Sequence, residues 1–266
     1  MIYSNKQINI YISAVKYITA IMKLHLLDRS SLNDSSFLIS NNHYPHFLKV
    51  WHYHPELELV VILKSTGTSF IGDNIEHFTT GDVILIGKNL PHMLLNDKEY
   101  FDENSKLEAQ AISIHFNEHF AGKEFFDMSE MLSIKDLIEK AKHGIKFSGD
   151  LVLVRKWIKK VNKLEGFDKT IRFFKILNLL AKHEDYKLLS SSGFINSFKM
   201  TGKKNLENVY EYIIKNFKEN ITLTDVANVA HMNPSAFSRF FKRINRKTFS
   251  EYLNEVRVGY SCKLLI

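Results

Sequence analysis

A single cysteine, Cys262, leaves the chain without a partner for an internal disulfide, which fits a reducing compartment. Proline is scarce too, at four in 266 residues, and no apolar run approaches the ~20 residues a membrane-spanning helix needs. The nearest thing to a secretion signal, residues 8–21, is interrupted by Lys16 and is followed by no small-residue cleavage site. These absences point to a cytoplasmic protein with no membrane partner. Met22 offers a second translation start, and residues 1–35 read as an N-terminal extension. Constellations of catalytic residues are also missing. Gly144 and Gly149 do not form a phosphate-binding loop, and Cys262 has no neighbouring base to activate it.

What is present is an ordinary globular composition, 45% hydrophobic, 24% charged and 12% aromatic, with length enough for two modest cores. The net charge of +7 alone reflects a general abundance of lysine. Its distribution says more. Arg239, Lys242, Arg243, Arg246 and Lys247 fall between Pro234 and Ser250 with no acidic residue among them, as a polyanion-binding surface requires. The lysines at 156, 159, 160 and 163 read instead as a solvated helix face.

Two periodicities divide the chain. Residues 57–63, 69–72, 82–86 and 109–116 are short runs rich in β-branched and aromatic side chains, punctuated by Gly67, Gly72-Asp73-Asn74 and Gly81-Asp82. Such close spacing without helical interludes predicts a β-sandwich or small barrel over residues 36–117. Beyond Glu118 the period lengthens to that of helices, at 134–143, 151–164 and 170–183, so residues 118–200 read as a helical connector. His115 and His119 straddle a strand end and are expected on the surface.

The last segment, 205–266, predicts a stripe helix bearing Val209, Tyr210, Ile213 and Phe217, then a short helix over 224–230. The turn His231-Met232-Asn233 leads to a third helix over 234–244, with Asn233 as N-cap and Pro234 at its first position. Two short helices joined by a tight turn, the second basic on its outer face, form the unit that enters a major groove. Its candidate DNA-contacting residues are Asn233, Ser235, Ser238, Arg239, Lys242, Arg243, Arg246 and Lys247. Arg239 lies where base edges are reached, and the later cations suit phosphates.

The wording of this segment resembles the AraC/XylS family of bacterial transcription regulators. The resemblance rests on Ile221-Thr222-Leu223-Thr224-Asp225-Val226-Ala227, on Ser235-Ala236-Phe237-Ser238-Arg239-Phe240-Phe241-Lys242, and on Thr248-Phe249-Ser250-Glu251-Tyr252. It implies that 234–244 is a recognition helix and that Arg257 lies in a long connecting helix. The family pattern carries two helix-turn-helix units and this sequence supplies the first alone, so a truncated regulator with impaired DNA binding is also expected. The resemblance further implies a homodimer, with the connector as the dimer surface.

Histidines mark the β-rich half. His52, His54 and Glu58 share one parity along the chain, and Pro91-His92 follows some thirty residues later. His-x-His-x3-Glu with a distant Pro-His resembles the cupin barrel, which implies that His52, His54, Glu58 and His92 converge on an effector pocket or a divalent metal. Trp51, Tyr53 and Phe70 frame that site or pack the core. The expected fold is therefore α+β: a cupin-like jelly-roll barrel, a helical connector and a partial helix-turn-helix domain. The expected function is ligand-responsive, sequence-specific DNA binding by a protein that is not an enzyme, taking DNA and a small-molecule effector as partners. A metal-dependent cupin enzyme, an oxygenase or isomerase, is the rival reading.

Overall fold

The computed structural model describes residues 25–26, 36–48, 50–200, 204–245 and 247–261. Its β half consists of two sheets. In the first, β1 (His25–Leu26), β3 (His52–Tyr53), β8 (His92–Asn96), β5 (Gly67–Ile71) and β6 (Asn74–Phe78) neighbour one another in that order. In the second the order is β11 (Tyr186–Leu188), β10 (Ile145–Phe147), β7 (Val83–Ile86), β4 (Leu57–Lys64), β9 (Ala109–Phe116) and β2 (Phe37–Tyr44).

Both sheets are open. β1 and β6 are the edges of one, β11 and β2 of the other, and among the described residues no ladder joins the two. This corrects the expected cupin-like jelly-roll barrel. Short alternating runs announce strands and turns, but whether the outermost strands pair is decided by tilt and stagger that no run contains. β10 and β11 are a second correction, because they lie within residues 118–200, read as helical. They extend the second sheet beyond β7. At three residues each they are too short to show a period of two.

The central strand β4 is buried on both faces, and alternation sorts its side chains. Leu57, Leu59 and Val61, with Val83, Leu85, Ile112 and Ile114, pack under α1 (Leu132–Lys140), α2 (Val152–Val161) and α3 (Gly166–Ala181). Val60 and Ile62, with Ile84 and Ile86, belong instead to the cluster containing Phe70, Phe78 and Met93 of the first sheet. Glu58 shares their parity and so faces the first sheet.

That second cluster continues into the C-terminal helices, α4 (Ser192–Met200), α5 (Lys204–Asn216), α6 (Leu223–Val229), α7 (Pro234–Asn245) and α8 (Phe249–Ser261). Tyr210, Phe237, Phe241 and Tyr252 fill its helical end. The junction is polar as well. The buried Asp73 carboxylate, in the β5–β6 turn, accepts from Ser190 Oγ (2.9 Å), Ser191 N (2.8 Å) and Ser191 Oγ (2.6 Å) at the start of α4. Gly72 adopts φ +57° there, and a Cβ on it would lie 2.2 Å from Ser190 Oγ. No helix among the described residues is long and apolar enough to cross a membrane.

Candidate DNA interface and a buried histidine cluster

The helix-turn-helix is defined by its caps. Thr222 Oγ1 accepts from Asp225 N (3.2 Å) while the Asp225 carboxylate accepts from Thr222 N (2.8 Å), a reciprocal capping box that starts α6. The Thr222 hydroxyl also donates to the Asp225 carboxylate (2.7 Å), and that bond first, then the one from Thr222 N, holds the Asp225 carboxyl below its ordinary range. His231 takes φ +54° in the turn, and Asn233 Oδ1 accepts from Ala236 N (2.8 Å) to start α7. Thr248 and Glu251 repeat the box at the start of α8.

α7 turns Phe237, Phe241 and Ile244 inward, each wholly buried. Ser235, Arg239, Lys242 and Arg243 are exposed on its other side, and Ser238 is half-buried. Asn233 is exposed with its side chain engaged as a cap. Lys247 lies off this face in an ion pair with Glu255 (2.5 Å). Arg246 lies outside the described residues. Arg257 ties α8 to the end of α5, its Nε donating to Phe217 O and a terminal guanidinium nitrogen to Glu219 O, both at 2.8 Å. The tertiary structure thus places five of the expected contact residues on one helix, four of them exposed.

His52, His54, Glu58 and His92 converge. All are buried, and one potential ligand atom from each lies within 4.8 Å of the others. His52 and His92 are directly opposed across β3 and β8, with ring centroids 4.2 Å apart. Each ring is oriented by its Nδ1, which meets a backbone carbonyl: Val50 O for His52 (2.8 Å), Glu56 O for His54 (3.1 Å) and Leu90 O for His92 (2.8 Å). A carbonyl only accepts, so each Nδ1 carries the hydrogen and each Nε2 is left to face the cluster. The Nε2 atoms of His54 and His92 both lie 3.2 Å from Glu58 Oε2.

His115 is the residue that sequence reasoning missed. It is buried, not exposed, and sits directly opposite Glu58 in the β4–β9 ladder, with Nε2 3.3 Å from Glu58 Oε1. Neither of its ring nitrogens finds a hydrogen-bond partner among the described residues. His119 is exposed, as expected. The parity of His115 with Ala109 and Ala111 was available in the sequence; the register opposing it to Glu58 was not.

Burial pushes the Glu58 carboxyl up, but the charge of His115 and the close approach of His115, His54 and His92 outweigh it and hold the group well below the ordinary carboxylate range. Burial, aided by the neighbouring His92, lowers His52 to about 3, so at neutral pH its Nε2 is a bare lone pair. Three imidazoles and one carboxylate form a donor set able to chelate a divalent transition metal. Ligands sharing an ion at 2.0–2.1 Å lie no more than about 4.2 Å apart, so the cluster needs contraction of under ~1 Å to close on one. Trp51 and Phe70 are core residues, packed edge to face at 6.4 Å.

No protein-family model matches the chain. It is 40% identical over 68 residues, 26% of its length, to the bifunctional transcriptional activator/DNA repair enzyme AdaA of Bacillus subtilis, and the match spans only 32% of that protein. It is 23% identical over 229 residues to the uncharacterised helix-turn-helix regulator YdeC of the same organism, covering 80% of this chain and 72% of that one. Among solved structures it is similar to the AraC-like transcriptional activator CuxR, at 10% identity and a TM-score of 0.36 over 88% of this chain and 84% of that one. AdaA is named as both a transcriptional activator and a DNA repair enzyme, and YdeC as a transcriptional regulator.

Proposed function

We propose that the chain is a transcription regulator of the AraC type, which binds DNA sequence-specifically through α6 and α7 and responds to a small-molecule effector. The observation that carries this reading is α7 itself. Its apolar side is locked into a core by Phe237, Phe241 and Ile244, and its opposite side presents Ser235, Arg239, Lys242 and Arg243 to solvent. A helix fixed in this way, entered through a tight turn and rich in exposed cations, is the shape and charge a major groove accepts. A second copy of the chain is the proposed partner in DNA binding. Val152, Leu153 and Phe167 leave exposed apolar surface on α2 and α3 for that contact. Electrophoretic mobility shifts on the gene's own upstream DNA test the reading. A shift that survives competition by unrelated DNA supports it, and binding that unrelated DNA abolishes refutes it.

The same proposal assigns His52, His54, Glu58 and His92 as ligands of a divalent transition metal. The three Nδ1–carbonyl hydrogen bonds support this, because they leave each Nε2 free for a metal, and those of His54 and His92 already lie 3.2 Å from Glu58 Oε2. A bound ion supplies Lewis acidity and a cross-link between the two sheets. Titration of zinc into metal-stripped protein should show one site per chain, with His52→Ala and His92→Ala each losing most of the affinity. A wild-type chain that takes up no zinc, cobalt or iron refutes the assignment.

A further inference from the structure

A second site lies where the two hydrophobic clusters meet. Leu57, of opposite parity to Glu58, joins Leu90, Ile138 and Phe194 in walling a cavity of about 290 Å³. It is bounded by the turn between β7 and β8, by α1 with the helical turn after it, and by α4. That volume is near the lower end of those that hold small organic ligands. Two lysines, Lys88 and Lys142, stand at its border. We propose that this cavity binds a small apolar molecule carrying one anionic group, and that its occupancy is felt by the recognition helix α7.

The chemistry of the walls sets the body of the ligand, and the lysines set its end group. Lys88 Nζ lies 2.7 Å from Glu118 Oε1, and Lys142 pairs with Glu139. Both lysine side chains remain more than 40% exposed. Exposed pairs of this kind are weak, so either ammonium can exchange its partner for a ligand's anion at small cost. The Glu118 carboxyl is held below its ordinary value chiefly by its bond to Lys88.

The route to the DNA interface is short. Phe194 is fully buried in α4, which rests directly on the end of α7. A Cβ on Gly193 would lie 2.6 Å from Ile244 O, a closeness that only glycine permits. Ser191 Oγ approaches the same carbonyl at 3.4 Å while also bonding Asp73. A molecule pressing on Phe194 therefore presses on a helix pinned between the β5–β6 turn and α7.

Two fluorescent dyes test the assignment on the full chain: the sulfonate 1-anilinonaphthalene-8-sulfonate, and its uncharged counterpart N-phenyl-1-naphthylamine. The sulfonate should bind at one saturable site, roughly 5-fold or more tighter than the amine. Ile138→Trp and Ile195→Trp, which fill the cavity, should each weaken both dyes by about 10-fold or more. Replacing Lys88 and Lys142 together by alanine should bring the sulfonate to the amine's affinity and leave the amine unchanged. These lysines are exposed, so that variant keeps the test decisive if a tryptophan variant fails to fold. Equal binding of the two dyes, or sulfonate binding that survives both tryptophan substitutions in normally melting protein, overturns the site. The effect on α7 rests on the regulator reading. Saturating sulfonate should alter affinity for upstream DNA by about 5-fold or more. An unaltered affinity refutes the relay, whereas a chain that binds the dye but no DNA refutes the regulator reading and leaves the cavity assignment intact.

Discussion

Replacement of Asp73 by alanine should loosen the C-terminal helices from the sheets. Its carboxylate accepts three hydrogen bonds, from Ser190 Oγ, Ser191 N and Ser191 Oγ, at 2.9, 2.8 and 2.6 Å. Bonds to a charged acceptor contribute about 1.5–3 kcal/mol each, but the serine hydroxyls can rotate toward other partners. A loss of about 3–5 kcal/mol is therefore expected, with the Ser191 N–H left without its acceptor. Ser191→Ala should cost less, about 1–2 kcal/mol, since it removes one of these bonds and the bond from Phe194 N to Ser191 Oγ (3.2 Å) that caps α4. The two substitutions together should cost about 1–2 kcal/mol less than their sum, because they share a bond. Urea unfolding followed by two probes reads this directly. Trp51, buried against Phe70 and read in a Trp157→Phe background, reports on the sheets, and far-ultraviolet circular dichroism reports mainly on the helices. The transitions should nearly coincide in the wild type, and in Asp73→Ala the helical transition should come first. A cost below about 1 kcal/mol, or coincident transitions in the variant, would refute the claim that this carboxylate locks the halves together.

Metal-free protein should lose stability on acidification before any carboxylate titrates. His52 holds its proton only below about pH 3 when folded, against an ordinary value of 6.5, so the unfolded state binds more protons in that window and stability falls as pH falls. From pH 7 to 5 the loss should be about 2 kcal/mol, and Glu58, lowered in the fold, adds a loss of the same sign below its ordinary value. Equal urea midpoints at pH 7 and 5 would sink this. Arg239→Ala should relax specificity at one operator position at a cost of about 1–3 kcal/mol, while Lys242→Ala should weaken all sequences alike and shallow the salt dependence. Identical salt slopes for the two variants in anisotropy titrations would remove the distinction between them. Thr222→Ala, which breaks the capping box of α6, should cost about 1 kcal/mol by thermal melting, and a change within a few tenths would show the cap to be idle.

Features that local chemistry governs were legible in the residues alone. Asn233 and Pro234 start α7 because a side-chain oxygen and a missing N–H suit the first turn of any helix, and α7 begins at Pro234. Parity and cupin-like spacing pointed His52, His54 and Glu58 toward one site, although the structure brings them together from two sheets, with His52 on β3 and Glu58 on β4. The tertiary structure decided what depends on pairing. Open sheets replaced the expected barrel because closure is a property of edges, and β10 and β11 reach β7 from residues 145–188, a distance no local window spans. His115 entered the cluster through register, which opposes it to Glu58 across 57 residues of chain. Asp73 met Ser190 and Ser191 the same way: turn chemistry explains why Gly72-Asp73-Asn74 bends, but only the packing of α4 against that turn supplies the carboxylate with its donors.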